Sequence, residues 1–140
     1  MKNLLFILLF FPLLTFGQSE PFKGANTLVV ISEKENLFQI AGKQLIQDGY
    51  QLADSNSDFQ TITTEWKDVR WIKYRLIVSI IDDKVQIQAK LINEAANGVL
   101  NTQGSDWLLE WKKSGVENDA WIKMEAFASN FGTNRQYFKK

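Results

Sequence analysis

Neither cysteine nor histidine occurs in the 140 residues. The first absence removes disulfides and thiol chemistry, and with them the lipid-bearing cysteine that anchors bacterial lipoproteins. The second removes the commonest general base, and the two together remove the commonest zinc ligands. No glycine-flanked serine elbow and no phosphate-cradling glycine loop takes their place. Charge of one sign is lacking too. The chain has 16 basic and 16 acidic residues, so long-range attraction to nucleic acid has no source. The composition predicts a protein that is not an enzyme and has no cofactor, no metal and no nucleic-acid partner.

A long apolar run is present only at the N-terminus. Lys2 precedes an apolar stretch from Leu4 to Leu14 broken only by Pro12, and Thr15, Phe16 and Gly17 follow before polar Gln18, Ser19 and Glu20. A bilayer-spanning helix needs roughly 20 apolar residues, and this run is shorter and ends in a small residue. Residues 1–17 are therefore expected to be a cleavable signal peptide. The mature protein is then periplasmic or secreted, soluble, without a membrane span and not a lipoprotein. About 120 residues remain, enough for one self-sufficient core. Phe6, Phe10, Phe11 and Phe16 leave with the signal, so the aromatic excess of the remainder is mainly its five tryptophans.

Residues 18–25 contain Pro21 and Gly24, show no period, and read as a leader. Residues 26–31 bring Leu28, Val29, Val30 and Ile31 together, as in a buried strand. Ser32 and Glu35 have capping-box spacing and predict the start of a helix, whose apolar stripe is Leu37, Phe38, Ala41 and Leu45 and whose end is Asp48 and Gly49. Extended runs follow at 50–53 and 59–66, separated by a polar turn at 54–58. The clearest strands are 71–81 and 85–92, joined by Asp82, Asp83 and Lys84. In the latter, Val85, Ile87, Ala89 and Leu91 alternate with Gln86, Gln88 and Lys90, the mark of a sheet covered on one side. Residues 93–115 read as loop, with a short strand expected near Trp107. Ser114 and Glu117 repeat the capping-box spacing ahead of a second helix with the stripe Ala120, Met124, Phe127, Ala128 and Phe131, closed by Gly132. The pattern predicts a single α+β domain over 26–132: a curved antiparallel sheet of four to five strands with two helices on one face, in the order β-α-β-β-β-β-(β)-α. Residues 133–140 are polar and basic and are expected to be a frayed tail.

The run LVVISEKENLFQIAGKQLIQDGYQL, then DFQTITTEWKD and the hairpin YRLIVSIIDDKVQIQAKL, resembles small envelope domains of the same order. They are the domains of the BamC-like outer-membrane assembly lipoproteins and the related TATA-binding-protein-like, or helix-grip, domains of exported proteins. The resemblance covers residues 26–91 and, more loosely, the last helix. It implies a fold and an envelope setting but no active site, and the chain departs from the BamC pattern in having no cysteine and a single domain.

Four groups of side chains are candidates for function. Asp54, Asn56, Asp58 and Glu65 match positions 1, 3, 5 and 12 of a calcium loop, but Phe59 replaces the turn glycine and Ile62 offers no oxygen, so an ordinary hairpin loop is the expectation. Trp66, Lys67, Arg70, Trp71, Lys73, Tyr74 and Arg75 interleave bases with aromatics, the pattern of a solvated strand face or of a surface for a protein, glycan or lipid head group. The wet side of the sheet, Lys73, Arg75, Gln86, Gln88 and Lys90, is the expected surface for another envelope protein. Trp107, Trp111 and Trp121 either belong to the core or line a cleft for a small lipid-like apolar ligand under the last helix. The leading expectation is a non-enzymatic binding or assembly accessory module, with a carrier of a small apolar ligand in a helix-grip cleft as the alternative and an enzyme of unknown type as the lower one.

Overall fold

The computed structural model describes residues 20–93 and 106–140. The expected signal peptide and residues 94–105 of the long loop lie outside the described residues. The elements are β1 (Thr27–Ile31), α1 (Leu37–Gln47), β2 (Leu52–Asn56), β3 (Thr61–Thr64), β4 (Lys67–Val69), β5 (Ile72–Ile81), β6 (Lys84–Ile92), β7 (Trp107–Leu108), α2 (Val116–Ala128) and β8 (Arg135–Phe138). The α+β class and the antiparallel sheet are as predicted. The sheet has eight strands rather than four or five, in the order β2-β3-β5-β6-β1-β8, with β4 also paired to β5 and β7 also paired to β6.

The β5–β6 hairpin is the spine of the domain. Its two-residue turn, Asp82 and Asp83, carries Asp82 in the left-handed region (φ 56°), a conformation that aspartate tolerates better than most residues. The register pairs Tyr74 with Leu91, Leu76 with Ala89 and Val78 with Ile87, so the strict alternation of both strands stacks their apolar residues on one face. Those residues are buried with Leu28 and Val30 of β1, Ile62 of β3 and Tyr137 of β8. Leu37, Ala41 and Leu45 of α1 and Ala120, Trp121, Met124 and Phe127 of α2 close over the same face, and all of them join one hydrophobic core.

Both helix starts differ from the capping boxes expected from the sequence. α1 begins only at Leu37, after Asn36 in the left-handed region (φ 56°), and no side chain caps it. Ser32 is buried in the preceding turn, where its hydroxyl accepts the Lys34 N–H and its own N–H donates to the Asp83 carbonyl. α2 follows Gly115, also without a side-chain cap, and Glu117 is paired to Lys112 at 2.7 Å instead of reaching back to Ser114. The end of α1 is as expected. The Tyr50 N–H donates to the Leu45 carbonyl and the Gly49 N–H to the Ile46 carbonyl, a Schellman arrangement that needs a left-handed residue, supplied by Gly49 at φ +79°.

The segment expected as a frayed tail contains the edge strand β8, which pairs with β1 from Thr27↔Phe138 to Val30↔Arg135. Gly132 does not close α2. It lets the chain turn close past β1, since a Cβ there would lie 3.2 Å from the Ile31 carbonyl oxygen. At the other end of the domain, residues read as leader belong to the core: Ala25 is fully buried and Phe22 packs against it. β2 runs through Asp54 and Ser55, so the turn expected at 54–58 falls after Asn56, whose side-chain oxygen accepts the N–H groups of Asp58 and Phe59. The short strand expected near Trp107 is β7. Among the described residues no helix is long and apolar enough to cross a membrane.

Candidate binding surface

The helices leave the opposite face of the sheet uncovered among the described residues. Alternation along β5 and β6 puts Lys73, Arg75, Gln86, Gln88 and Lys90 on this face together, with the register Arg75↔Lys90, Ile77↔Gln88 and Ser79↔Gln86. Thr61 and Thr63 extend the rows into β3, and Val29 extends one of them into β1. The Gln88 amide donates to the Thr27 hydroxyl at 2.8 Å, and Lys140 reaches the Gln86 side-chain carbonyl. The centre of the face is therefore a strip of threonine, glutamine and isoleucine side chains, with the Lys140 ammonium drawn onto Gln86 at its β1 side.

Charge gathers at one end of the strip. The Asp106 carboxylate accepts hydrogen bonds from Lys90 at 3.0 Å and Arg75 at 3.3 Å, and the Arg75 guanidinium stacks 4.6 Å from the centre of the Trp66 ring. Trp66 reaches this face because the strand breaks between β3 and β4. The Leu76 N–H bonds to the Thr64 hydroxyl rather than to a carbonyl, and the Glu65 N–H turns to Gln51. In an unbroken strand over 59–66 Trp66 would share the side of Ile62 and Thr64, and the break puts it on the other.

The hydrogen bond from Lys90, reinforced by the charges of Lys90 and Arg75, outweighs partial desolvation and holds the Asp106 carboxyl below the usual carboxylate range. A lowered carboxyl pKa stabilises the folded state above the unfolded value and loses that contribution as pH falls through the folded one. Stability of the wild type is expected to fall more steeply than that of Asp106→Asn between about pH 5 and about pH 2. Urea midpoints measured across that window check this, and parallel curves would refute it.

The other candidates separate in space. The interleaved basic and aromatic segment splits by strand period: Lys73 and Arg75 lie on the open face, whereas Tyr74 is buried beneath the helices with Lys67 nearby. Arg70 is tied to Asp119 of α2, and Trp71 is exposed at the β4–β5 turn. The three tryptophans do not share a cleft. Trp121 is 1% exposed in the core, Trp111 packs half-buried at its margin, and Trp107 lies in a surface hollow with Leu108, Glu110, Lys112 and Glu117. Asp54, Asn56, Asp58 and Glu65 do not assemble a metal site, and no group of three or more acidic side chains suited to a metal exists among the described residues. Asp106 and the Trp66–Arg75 stack were not singled out as a unit in the sequence, because partners on different strands have no shared spacing to reveal them. No family model matches the chain, and no curated protein matches it.

Proposed function

We propose that the chain is a non-enzymatic exported accessory module that binds another envelope protein through the open face of its sheet. One observation carries this reading: Lys73, Arg75, Gln86, Gln88 and Lys90 share a helix-free face with a centre of threonine, glutamine and isoleucine and an ion-paired, aromatic-backed end. Protein interfaces are poor in charge at the centre and polar at the rim, and arginine and aromatic side chains are among their commonest anchors. The apolar segment at residues 1–17 and the resemblance to BamC-like envelope domains supply the setting, an exported protein among others of the envelope.

The test is affinity capture from envelope extracts with the wild type and with Ile77→Glu, a charge placed at the centre of the strip. A reproducible partner retained by the wild type and lost in the variant, with circular dichroism unchanged, is the expected result. Equal capture by both, or no reproducible partner for the wild type, overturns the proposal.

A further inference from the structure

Two neighbouring strand ends at one end of the sheet carry apolar side chains that the core does not use. Phe59 in the β2–β3 turn and Ile81 at the end of β5 are 77% and 52% exposed, and Phe59 is the most exposed large apolar side chain among the described residues. Register brings them together: Thr61 pairs with Ser79, the Ile80 N–H donates to the Gln60 carbonyl, and Phe59 and Ile81 are the next residues outward. Turns are ordinarily built from glycine, proline, asparagine, aspartate and serine, so the turn itself does not explain a phenylalanine left in water. Nor is this phenylalanine loosely held. The Asn56 side-chain oxygen accepts the N–H groups of Asp58 and Phe59, both at 3.0 Å, and the Gln60 side-chain amide donates to the Ser57 carbonyl. An aromatic side chain on a turn already ordered loses little freedom when a partner closes over it.

Beside these side chains runs an open groove of about 830 Å³, between the β1–α1 loop and the turns at Gln60 and Asp82, with Ile31 and Ile80 half-buried in its lining. The loops around it, residues 32–36, 57–60 and 81–84, hold five carboxylates, Glu33, Glu35, Asp58, Asp82 and Asp83, against the ammonium groups of Lys34 and Lys84, and all seven residues are exposed. Lys34 is committed, donating to the Asn130 carbonyl at 2.6 Å. This end of the domain is therefore acidic, although the chain as a whole is balanced. Charge decides among the occupants of such an apolar end. An anionic membrane surface is repelled by it, and the same end of a second copy brings like charges together. A protein segment with an apolar side chain flanked by lysine or arginine meets both the exposed pair and the acidic groove.

We infer that the Phe59–Ile81 end of the sheet docks a basic segment of a partner protein, its apolar side chain set against Phe59 and Ile81 and its cations held by Glu33, Glu35, Asp82 and Asp83. The inference rests on the reading of the chain as a protein-binding module and adds the chemistry of the partner. Ile81 continues the open-face row of Ile77 and Ser79, so one partner can reach both.

The experiment is a titration of the mature protein, phenylalanine-labelled for NMR, with the capped peptide Lys-Lys-Leu-Lys-Lys. Glu-Glu-Leu-Glu-Glu and Lys-Lys-Ser-Lys-Lys separate charge from apolar contact, phosphatidylglycerol vesicles offer a membrane, and sedimentation reports self-association. The leucine-lysine peptide is expected to shift the Phe59 ring signals saturably, with a dissociation constant on the order of 1 mM that weakens as salt rises. Phe59→Ala is expected to weaken it about fivefold, and Asp82→Asn combined with Asp83→Asn about as much. Ile122→Ala, an equally exposed apolar change on α2, is expected to leave it unaltered. No saturable shift, equal binding of either comparison peptide, or unchanged affinity in Phe59→Ala overturns the inference. Vesicle binding without peptide binding, or a dimer that Phe59→Ala disperses, overturns it in favour of a membrane or a second copy. Ile77 is not part of this end, so the two readings fail separately: a partner lost in Ile77→Glu with no peptide binding leaves the open face standing alone, and Phe59-dependent peptide binding with no captured partner does the reverse.

Discussion

Trp121→Ala is expected to destabilise the domain by about 3–5 kcal/mol, the range for deleting a large buried aromatic. Trp121 is among the largest fully buried side chains, at the centre of α2, with its ring 6.1 Å from that of Tyr137 on β8. Truncation would open a void between helix and sheet that its neighbours are too constrained to fill. Small domains have only about 5–15 kcal/mol in total, so much of the folded population would be lost. Trp121→Phe should cost far less than its volume change suggests. The indole Nε1 is buried with no hydrogen-bond partner, and phenylalanine removes that unsatisfied donor while keeping most of the apolar contact. Urea denaturation of both variants checks the pair. A Phe variant as unstable as the Ala variant would show that the ring edge, and not the void, governs the site.

Deleting residues 133–140 is expected to abolish cooperative folding. The deletion removes Tyr137 from the core, every backbone bond between β8 and β1, and the reciprocal pair in which the Asn26 amide donates to the Lys140 carbonyl and the Lys140 N–H donates to the Asn26 side-chain oxygen. Burial of one tyrosine at about 2 kcal/mol and several backbone bonds at about 1 kcal/mol each bring the loss to roughly 5 kcal/mol. It would also turn β1, whose Thr27, Leu28 and Val30 are fully buried, into a new apolar edge open to aggregation. A truly frayed tail would be removed at almost no cost. A truncated protein with an unchanged thermal midpoint would therefore refute the role assigned to β8.

The contrast between those two regions shows what the sequence makes legible. β6 was readable because four apolar residues alternate with three polar ones over a strand with one covered face, and the end of α1 because glycine fits the left-handed turn there. β8 was not readable. It is an edge strand of four residues with a single buried side chain, Tyr137, so it shows almost no period. The capping boxes misled for a different reason. Serine hydroxyls bond backbone in turns as readily as at helix ends, and Ser32 is held in such a turn by its contact with Asp83. The open face was legible through alternation alone, since strand period settles which side chains share a side. The hydrogen-bonded Tyr50–Tyr74 pair was not, because it joins a residue in the turn after a helix to one near the start of a strand far along the chain.

The place of β1 has a consequence for how the chain acquires its structure. Although first among the elements, it lies between β6 and β8 and meets its second neighbour only at the far end of the sequence. The β5–β6 hairpin closes through a local turn on a timescale of about 1–10 μs, whereas the β1–β8 pairing raises the contact order of the whole domain. A chain synthesised from its N-terminus therefore keeps one edge of its most apolar strand unmatched until the last residues appear. Completion of the sheet is a late event, triggered by the arrival of Phe138 rather than by collapse of the middle of the chain.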